Sequence, residues 1–467
     1  MTYRQLLKGN ANFRHLWRGQ VVSEIGDWLN NIAVLALALE LAGPAHQGRA
    51  IAVYAIARHL PLFFFGPIAG VVVDRTDRRR VMIVADIVRA VLAAGFLLAQ
   101  VFSSLPAIYA VGAALFAVSA FFNAAKRATI PVIVTDADEL LGANSLSAST
   151  TAATIAIGSA LGGLVATFIS RDLVFILNAL TFLVSALIIS RIRLPPRQRS
   201  PTRLPHERIA VAASVVSETA TESAIKSLDE ITGGSSRGRI RAGLIRAFGE
   251  FREGLRYVRN DGTLAAVFIV AAGWGLGNGA ARALYSVFGA RLGELTAAGW
   301  VAHPRDFGIS VLFVAMGAGG VLGAPVARRF SAAGDGLGAR MGRSLVLDGC
   351  GLALFSLMPN LWTASLVLIA REMNFAIWWT AQQTLIMRRT DNAYAGRVFA
   401  SYETLTTLMM VASMYAAGAS ADAFGLRPVA VAGGLTVAFS GLLWFLLRRR
   451  QSSANASATT DAKHLST

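Results

Sequence analysis

The chain has 467 residues, of which 54% are hydrophobic and only 15% charged. A soluble domain carries about 25% charged residues, so the excess apolar surface calls for lipid. The net charge of +17 would suit nucleic acid, but the basic residues lie in the gaps between apolar runs rather than on one face, which excludes that partner.

A single cysteine, Cys350, excludes an internal disulfide and a cysteine metal cluster, and its apolar setting predicts a buried side chain. The six histidines are scattered without metal-ligand spacing, and no cofactor is expected.

A membrane-spanning helix needs about 20 mostly apolar residues. Twelve segments qualify: 19–42, 50–73, 81–102, 106–125, 143–169, 172–190, 263–289, 307–327, 344–358 with its flanks, 361–381, 397–420 and 426–447. The first follows Arg4, Lys8, Arg14 and Arg18 without a small-residue cleavage site, so it is predicted to be retained rather than removed as a signal peptide.

Between the sixth and seventh spans, residues 195–240 have the Pro, Ser, Gly and Arg content of a linker. Residues 244–259 repeat apolar groups at Leu244, Phe248, Phe251, Leu255 and Val258, a helical spacing. That helix is expected either on the membrane surface or in solvent. The predicted organisation is an N-terminal six-helix bundle (1–190), a cytoplasmic linker with an amphipathic helix (191–262), a C-terminal six-helix bundle (263–447) and a cytoplasmic tail (448–467).

Lysines and arginines are lopsided between alternate gaps. Of the 44, the gaps on one side hold 35 and those on the other hold five. Without the long central gap the ratio is still 21 to five. Basic loops stay in the cytoplasm, so both termini and the central loop are expected there. The halves also repeat: Asp74 aligns with Ala327, and Gly142 and Ser147 align with Gly396 and Ser401, at offsets of 253 and 254. Six-plus-six duplication is a transporter signature.

Ten ionisable groups fall inside predicted spans: Glu24, Asp27, Arg58, Asp86, Arg89, Arg282, Asp348, Arg371, Glu372 and Glu403. Each central charge costs roughly 2.5–3.5 kcal/mol. Ten unpaired ones would exceed the roughly 5–15 kcal/mol of net stability a protein normally has, so they must be paired, hydrated or neutral. Asp86 and Arg89 sit i,i+3 and are expected to pair. Glu24, Asp27 and Asn31 form one stripe that cannot neutralise itself and is expected to face a water-filled cavity. Asn278, Arg282 and Tyr285 form the matching stripe on the seventh span. Asp27 is the leading candidate for proton binding, with Glu24 and Glu403 as alternatives, and Asn31, Asn278, Arg282 and Arg371 are candidates for the substrate cavity. Phe63, Phe64, Phe65, Trp378 and Trp379 could line an apolar pocket, but lipid-facing places are commoner for such residues.

The segment GVVVDRTDRRR, residues 70–80, resembles the loop motif of the major facilitator superfamily between its second and third helices, with Asp77 where a glycine is usual. The resemblance implies that Gly70, Asp74, Arg75 and Arg78 latch the two bundles on the cytoplasmic side. In the fifth span, Gly158, Gly162 and Gly163 are similar to an antiporter motif of drug exporters, with Ser159 in place of its proline. The segments NFRHLWRGQVVSEIGDWL, KRATIPVIVTDADELLGANSLS and EGLRYVRNDGTL resemble the macrolide-efflux and enterobactin-exporter-like branch.

The resemblance covers residues 10–447. It implies an all-α membrane protein of twelve transmembrane helices in two pseudo-symmetric bundles, placed as a monomer in the bacterial inner membrane. It further implies export of an amphiphilic small molecule (a drug, siderophore or similar) by alternating access, by proton antiport. A flippase for lysophospholipids or other lipids is the alternative with the same fold. A membrane-embedded enzyme would need a catalytic constellation that is not found at recognisable spacing, and a non-transporting sensor is the remaining reading. No GxxxxGK[ST] loop is present, so the energy is expected from an ion gradient rather than ATP.

Overall fold

The computed structural model describes residues 3–134, 136–194, 249, 251–331, 336–391 and 394–464. These residues form helices joined by short turns: α1 (Tyr3–Gly9), α2 (Ala11–Ala42), α3 (Gln47–Arg75), α4 (Arg78–Val101), α5 (Leu105–Ile133), α6 (Ala137–Phe168) and α7 (Arg171–Ile189). A short helix α8 spans 251–260. Then come α9 (Gly262–Ala297), α10 (Pro304–Ser331), α11 (Leu337–Leu357), α12 (Leu361–Arg389), α13 (Ala395–Phe424) and α14 (Leu426–His464). Twelve of them, α2–α7 and α9–α14, overlap the twelve predicted segments. The linker 195–240 lies outside the described residues.

Side-chain caps and glycines set the turns. Asn10, Asp77, Ser104, Ser170 and Asn360 each accept a backbone N–H of the first turn they precede, satisfying donors a helix start leaves open. Gly43 and Gly425 end α2 and α13 with φ of 68° and 92°, a conformation that favours glycine. Among the described residues, by length and composition alone, eight helices can cross a membrane, or nine if α3, bent by 49° near Gly66–Pro67, counts as one. The helices α11, α12 and α13 fall short of that test and carry Asp348, Arg371 with Glu372, and Glu403 along their length.

Packing repeats between the halves. In the first, α2 lies against α6 and α7, α4 against α5 and α7, and α3 against α5. In the second, α9 lies against α13 and α14, α11 against α12 and α14, and α10 against α12. Each pairing in one half has its counterpart in the other, so the repeat seen in sequence is a repeat of structure. The halves meet through α6 on α10 and α3 on α13, themselves a symmetric pair.

The end at which α2 begins is here the near end, and the opposite one the far end. At the far end one apolar core runs through both halves and includes Leu35, Phe175, Leu284, Ile309 and Leu368. At the near end there are two cores, one around Phe13, Met82 and Phe122 and the other around Val258, Leu345 and Trp378. The halves are therefore joined by burial at one end only.

One expectation changes. Cys350 is exposed rather than buried: Gly349 faces Ala438 of α14, and the next residue is turned 100° around the helix, away from that contact. The helix α8 has partners within the protein. Tyr257 stacks on Tyr394 at 4.7 Å, Glu253 pairs with Arg397 at 3.3 Å, the Ser401 hydroxyl donates to the Phe251 carbonyl, and Val258 is buried. It is docked on the near end of the second half.

Candidate functional site

Three charged clusters sit at mid-depth. In the first half, Arg89 of α4 pairs with Asp86 one turn away and lies 3.8 Å from Asp27 of α2. Its guanidinium is held between the rings of Phe122 and Phe182, at 4.1 and 4.4 Å, a placement favourable for a cation. Asp86 is fully buried, whereas Asp27 keeps 25% of its side chain exposed. Glu24 is neutralised separately: Lys126 of α5 lies 3.3 Å away, and Gln20 and Thr154 donate hydrogen bonds to it. The stripe of Glu24, Asp27 and Asn31 thus shares a face as expected, but its two carboxylates are compensated by neighbouring helices rather than by water alone.

In the second half Arg371 of α12 is the hub. It reaches Asp348 of α11 at 3.1 Å and Glu372 at 2.7 Å, and it donates to the Tyr285 hydroxyl and the Asn278 side-chain oxygen of α9. Each half therefore contains two carboxylates served by one buried arginine.

A cavity of about 180 Å³ lies between the halves, lined by Trp28, Asn31, Tyr54, Arg58, His59, Arg282, Tyr285, Phe313 and Met414, among others. Trp28 and Phe313, one from each half, meet on its wall with ring centroids 6.0 Å apart. Arg58 donates to the Asn31 side chain and lies over Trp28 and Phe116. Of the predicted cavity residues, Asn31 and Arg282 line this space. Asn278 and Arg371 lie just beyond it, with Arg282, Tyr285 and Glu372, around a much smaller gap. Arg282 does not face Asp27 as an ion-pair partner; Arg58 and Asn31 share its cavity instead. Glu403 is exposed on α13, outside the clusters.

The sequence reading missed the ties at the far end. Arg171, in the first turn of α7, makes a two-pronged bond to Asp306 of α10 (Nε–Oδ1 3.0 Å, Nη2–Oδ2 2.8 Å) and reaches Glu40 at 2.5 Å. Asp422 of α13 accepts the backbone N–H groups of Gly48 and Arg49 at 2.8 and 2.9 Å, capping α3 from the other half. Deeper, Ser310 donates to the Ser159 carbonyl at 2.7 Å.

The motif residues are placed as follows. Asp74 and Arg75 are exposed, Arg78 donates to the Ala128 carbonyl within its own half, and the space around Gly70 is open. Asp77, where a glycine was usual, caps α4. Gly158 and Gly162 lie against the backbone of α2, where a Cβ on Gly162 would come 2.5 Å from the Leu29 carbonyl oxygen, and Gly163 faces Ser310 of the other half. Small residues here allow close helix approach. Trp378 is buried against Trp274 and Phe375, whereas Phe64 and Phe65 are exposed.

The family model described as Major Facilitator Superfamily matches residues 16–414. A curated relative, the putative bacilysin exporter BacE of Bacillus subtilis (strain 168), is 33% identical over 184 residues, 39% of this chain and 44% of that protein. Macrolide efflux protein A of Streptococcus pyogenes is 26% identical over 186 residues, 39% of this chain and 45% of that protein. The chain thus matches less than half the length of either relative. Among solved structures, a POT family transporter in complex with 5-aminolevulinic acid superposes with a TM-score of 0.65 at 12% identity, covering 94% of this chain and 96% of that one. That likeness is one of fold.

Proposed function

This chain belongs to the Major Facilitator Superfamily, and on that premise we propose that it exports an amphiphilic small molecule by alternating access. The observation that carries the reading is the mid-depth cavity between halves whose apolar core is continuous at the far end and divided at the near end. A carrier needs a site between two bundles and contacts on one side that can break. The far-end Arg171–Asp306 ion pair and the Asp422 cap are such contacts. The names of the two relatives support the outward direction.

In this reading the near end is cytoplasmic, supported by the 21-to-five excess of basic residues in its short loops. Residues 1–190 and 263–447 move as the two halves, tethered by 191–262. Gly70, Asp74, Arg75 and Arg78 latch the near end in the opposite state, which fits the exposure of Asp74 and Arg75 while that end is apart. Gly158, Gly162 and Gly163 keep α6 close to its neighbours through the motion.

The proton-binding step is assigned to Asp27, since Asp86 is sealed whereas Asp27 is partly exposed and shares Arg89 with it. Antiport, the sense implied by the resemblance, is electrostatically natural for a cationic cargo, because cation and proton oppose each other at one site. Reconstituted protein carrying Asp27→Asn should bind cargo yet lose the pH dependence of transport. A pH profile matching the parent's in proteoliposomes would remove Asp27 from the coupling step. For sidedness, a tag on either terminus should be shielded in sealed spheroplasts, and its cleavage by external protease would reverse the topology.

A further inference from the structure

The carboxylates nearest the cavity are already engaged, and the cations on its wall are not. Asp27 and Asp86 turn to Arg89, and Asp348 and Glu372 turn to Arg371. Each half has a second arginine, Arg58 or Arg282, and both line the cavity between the halves with His59 beside them. Among the described residues neither makes an ion pair. Arg58 has the Asn31 oxygen and two ring faces, and Arg282 is exposed to the cavity. A guanidinium has five N–H donors, and donors enclosed without acceptors are costly once water is expelled.

We propose that this cavity selects an anionic amphiphile, its acid group held between Arg58 and Arg282 and its apolar body against Trp28, Tyr54 and Phe313. The two arginines come from opposite halves, α3 and α9, so a single carboxylate, sulfonate or phosphate bridges them and lets the halves close on it. The proposal rests on the transport reading for its purpose, but the binding it describes needs no turnover. It also fixes a sign. Asp27 lies within electrostatic reach of Arg58, so a bare Asp27 competes with the cargo's anion and a proton on Asp27 favours it. Such a cargo and the proton bind together, so a monoanion crosses with its proton as an electroneutral pair and the cargo's own gradient supplies the outward drive.

The test is equilibrium binding to the purified full chain in a neutral detergent. The probes are 2-naphthoate, its neutral alcohol 2-naphthalenemethanol and its cationic amine 2-naphthylmethylamine, matched in aromatic body. Naphthoate should bind at least tenfold tighter than the alcohol or the amine. Arg58→Gln and Arg282→Gln should each weaken naphthoate at least tenfold, Arg282→Lys should recover part of that loss, and Asp27→Asn should bind it as tightly or tighter. Thermal unfolding of each variant verifies the fold.

Repeating the assay in phosphatidylcholine nanodiscs with and without phosphatidylglycerol identifies the source of the acid. Competition by phosphatidylglycerol assigns the site to a lipid headgroup, and no competition assigns it to a free amphiphile. Absence of naphthoate binding to the folded parent, equal binding of the alcohol or amine, or an unchanged affinity in Arg282→Gln would overturn the proposal. Failure of flux in proteoliposomes with naphthoate binding intact would instead count against the transport reading.

Discussion

Asp306→Asn should loosen the far end while leaving each half folded. Asp306 is fully buried and joined to Arg171 by two bonds, and Arg171 is 13% exposed. Breaking a buried pair from one side costs about 3–5 kcal/mol. Glu40 remains on the guanidinium at 2.5 Å but is 54% exposed. The introduced amide would still offer one acceptor, so a cost of about 2 kcal/mol to the far-closed state is reasonable for a pair reduced rather than abolished. In a far-open state both residues are hydrated in parent and variant alike, so the cost falls on one conformation. That cost is about a thirtyfold shift, enough to lower a closed population of about 99% to about three-quarters. Spin labels at Ala45 and Ala302, exposed on opposite halves at that end, read this by pulsed EPR in a Cys350→Ser background. A second, longer distance is expected for Asp306→Asn. A distribution identical to the parent's would show that the Arg171 pair does not hold the halves together.

Arg371→Met leaves the buried Asp348 and the half-buried Glu372 without their cation, so it should destabilise by about 3–5 kcal/mol. Combining it with Asp348→Asn and Glu372→Gln should recover most of that loss in a detergent melt. Gly162→Ala drives a methyl against the Leu29 backbone, an overpacking worth about 1–3 kcal/mol, seen as a lower melting temperature; an unchanged melt would mean that α6 and α2 can separate freely.

Most of the helical frame could be read from composition and spacing, because an apolar window of about twenty residues has few other uses. Asp86 with Arg89 was readable for the same reason: one turn of one helix brings them together. The partners of Glu24 and Asp27 were not, since Lys126 and Arg89 come from other helices and periodicity reveals a face without revealing what is opposite. Arg171 with Asp306 and Gly48 with Asp422 are separated by 135 and 374 residues, and in sequence they look like ordinary loop charges. Asp77 shows a different limit. Against the resemblance it is a departure from glycine, whereas the structure gives it a local purpose as the cap of α4. The antiport sense, similarly, came from the resemblance around Gly158, Gly162 and Gly163 and not from a charged residue, and the cations that bear on it became visible only when two helices from different halves were seen to share a cavity.

Of the ten charges in the predicted spans, seven (Glu24, Asp27, Asp86, Arg89, Asp348, Arg371 and Glu372) take part in ion pairs. These have a sufficient reason in stability: an unpaired charge at such depth is expensive, and the pairs of Arg89 with Asp27, Lys126 with Glu24 and Arg371 with Asp348 also tie helices of one half to each other. Glu403 is exposed on α13. That leaves Arg58 and Arg282, and pairing within a half does not account for them. They come from different halves, they face the same space, and no carboxylate pairs with either among the described residues. Polar groups that folding leaves unanswered at an interface built to open and close are where a cargo can supply what the protein does not. The halves can then distinguish a loaded cavity from an empty one by charge, since closing on two guanidinium groups without an ion-pair partner is penalised and closing on a bridged pair is not.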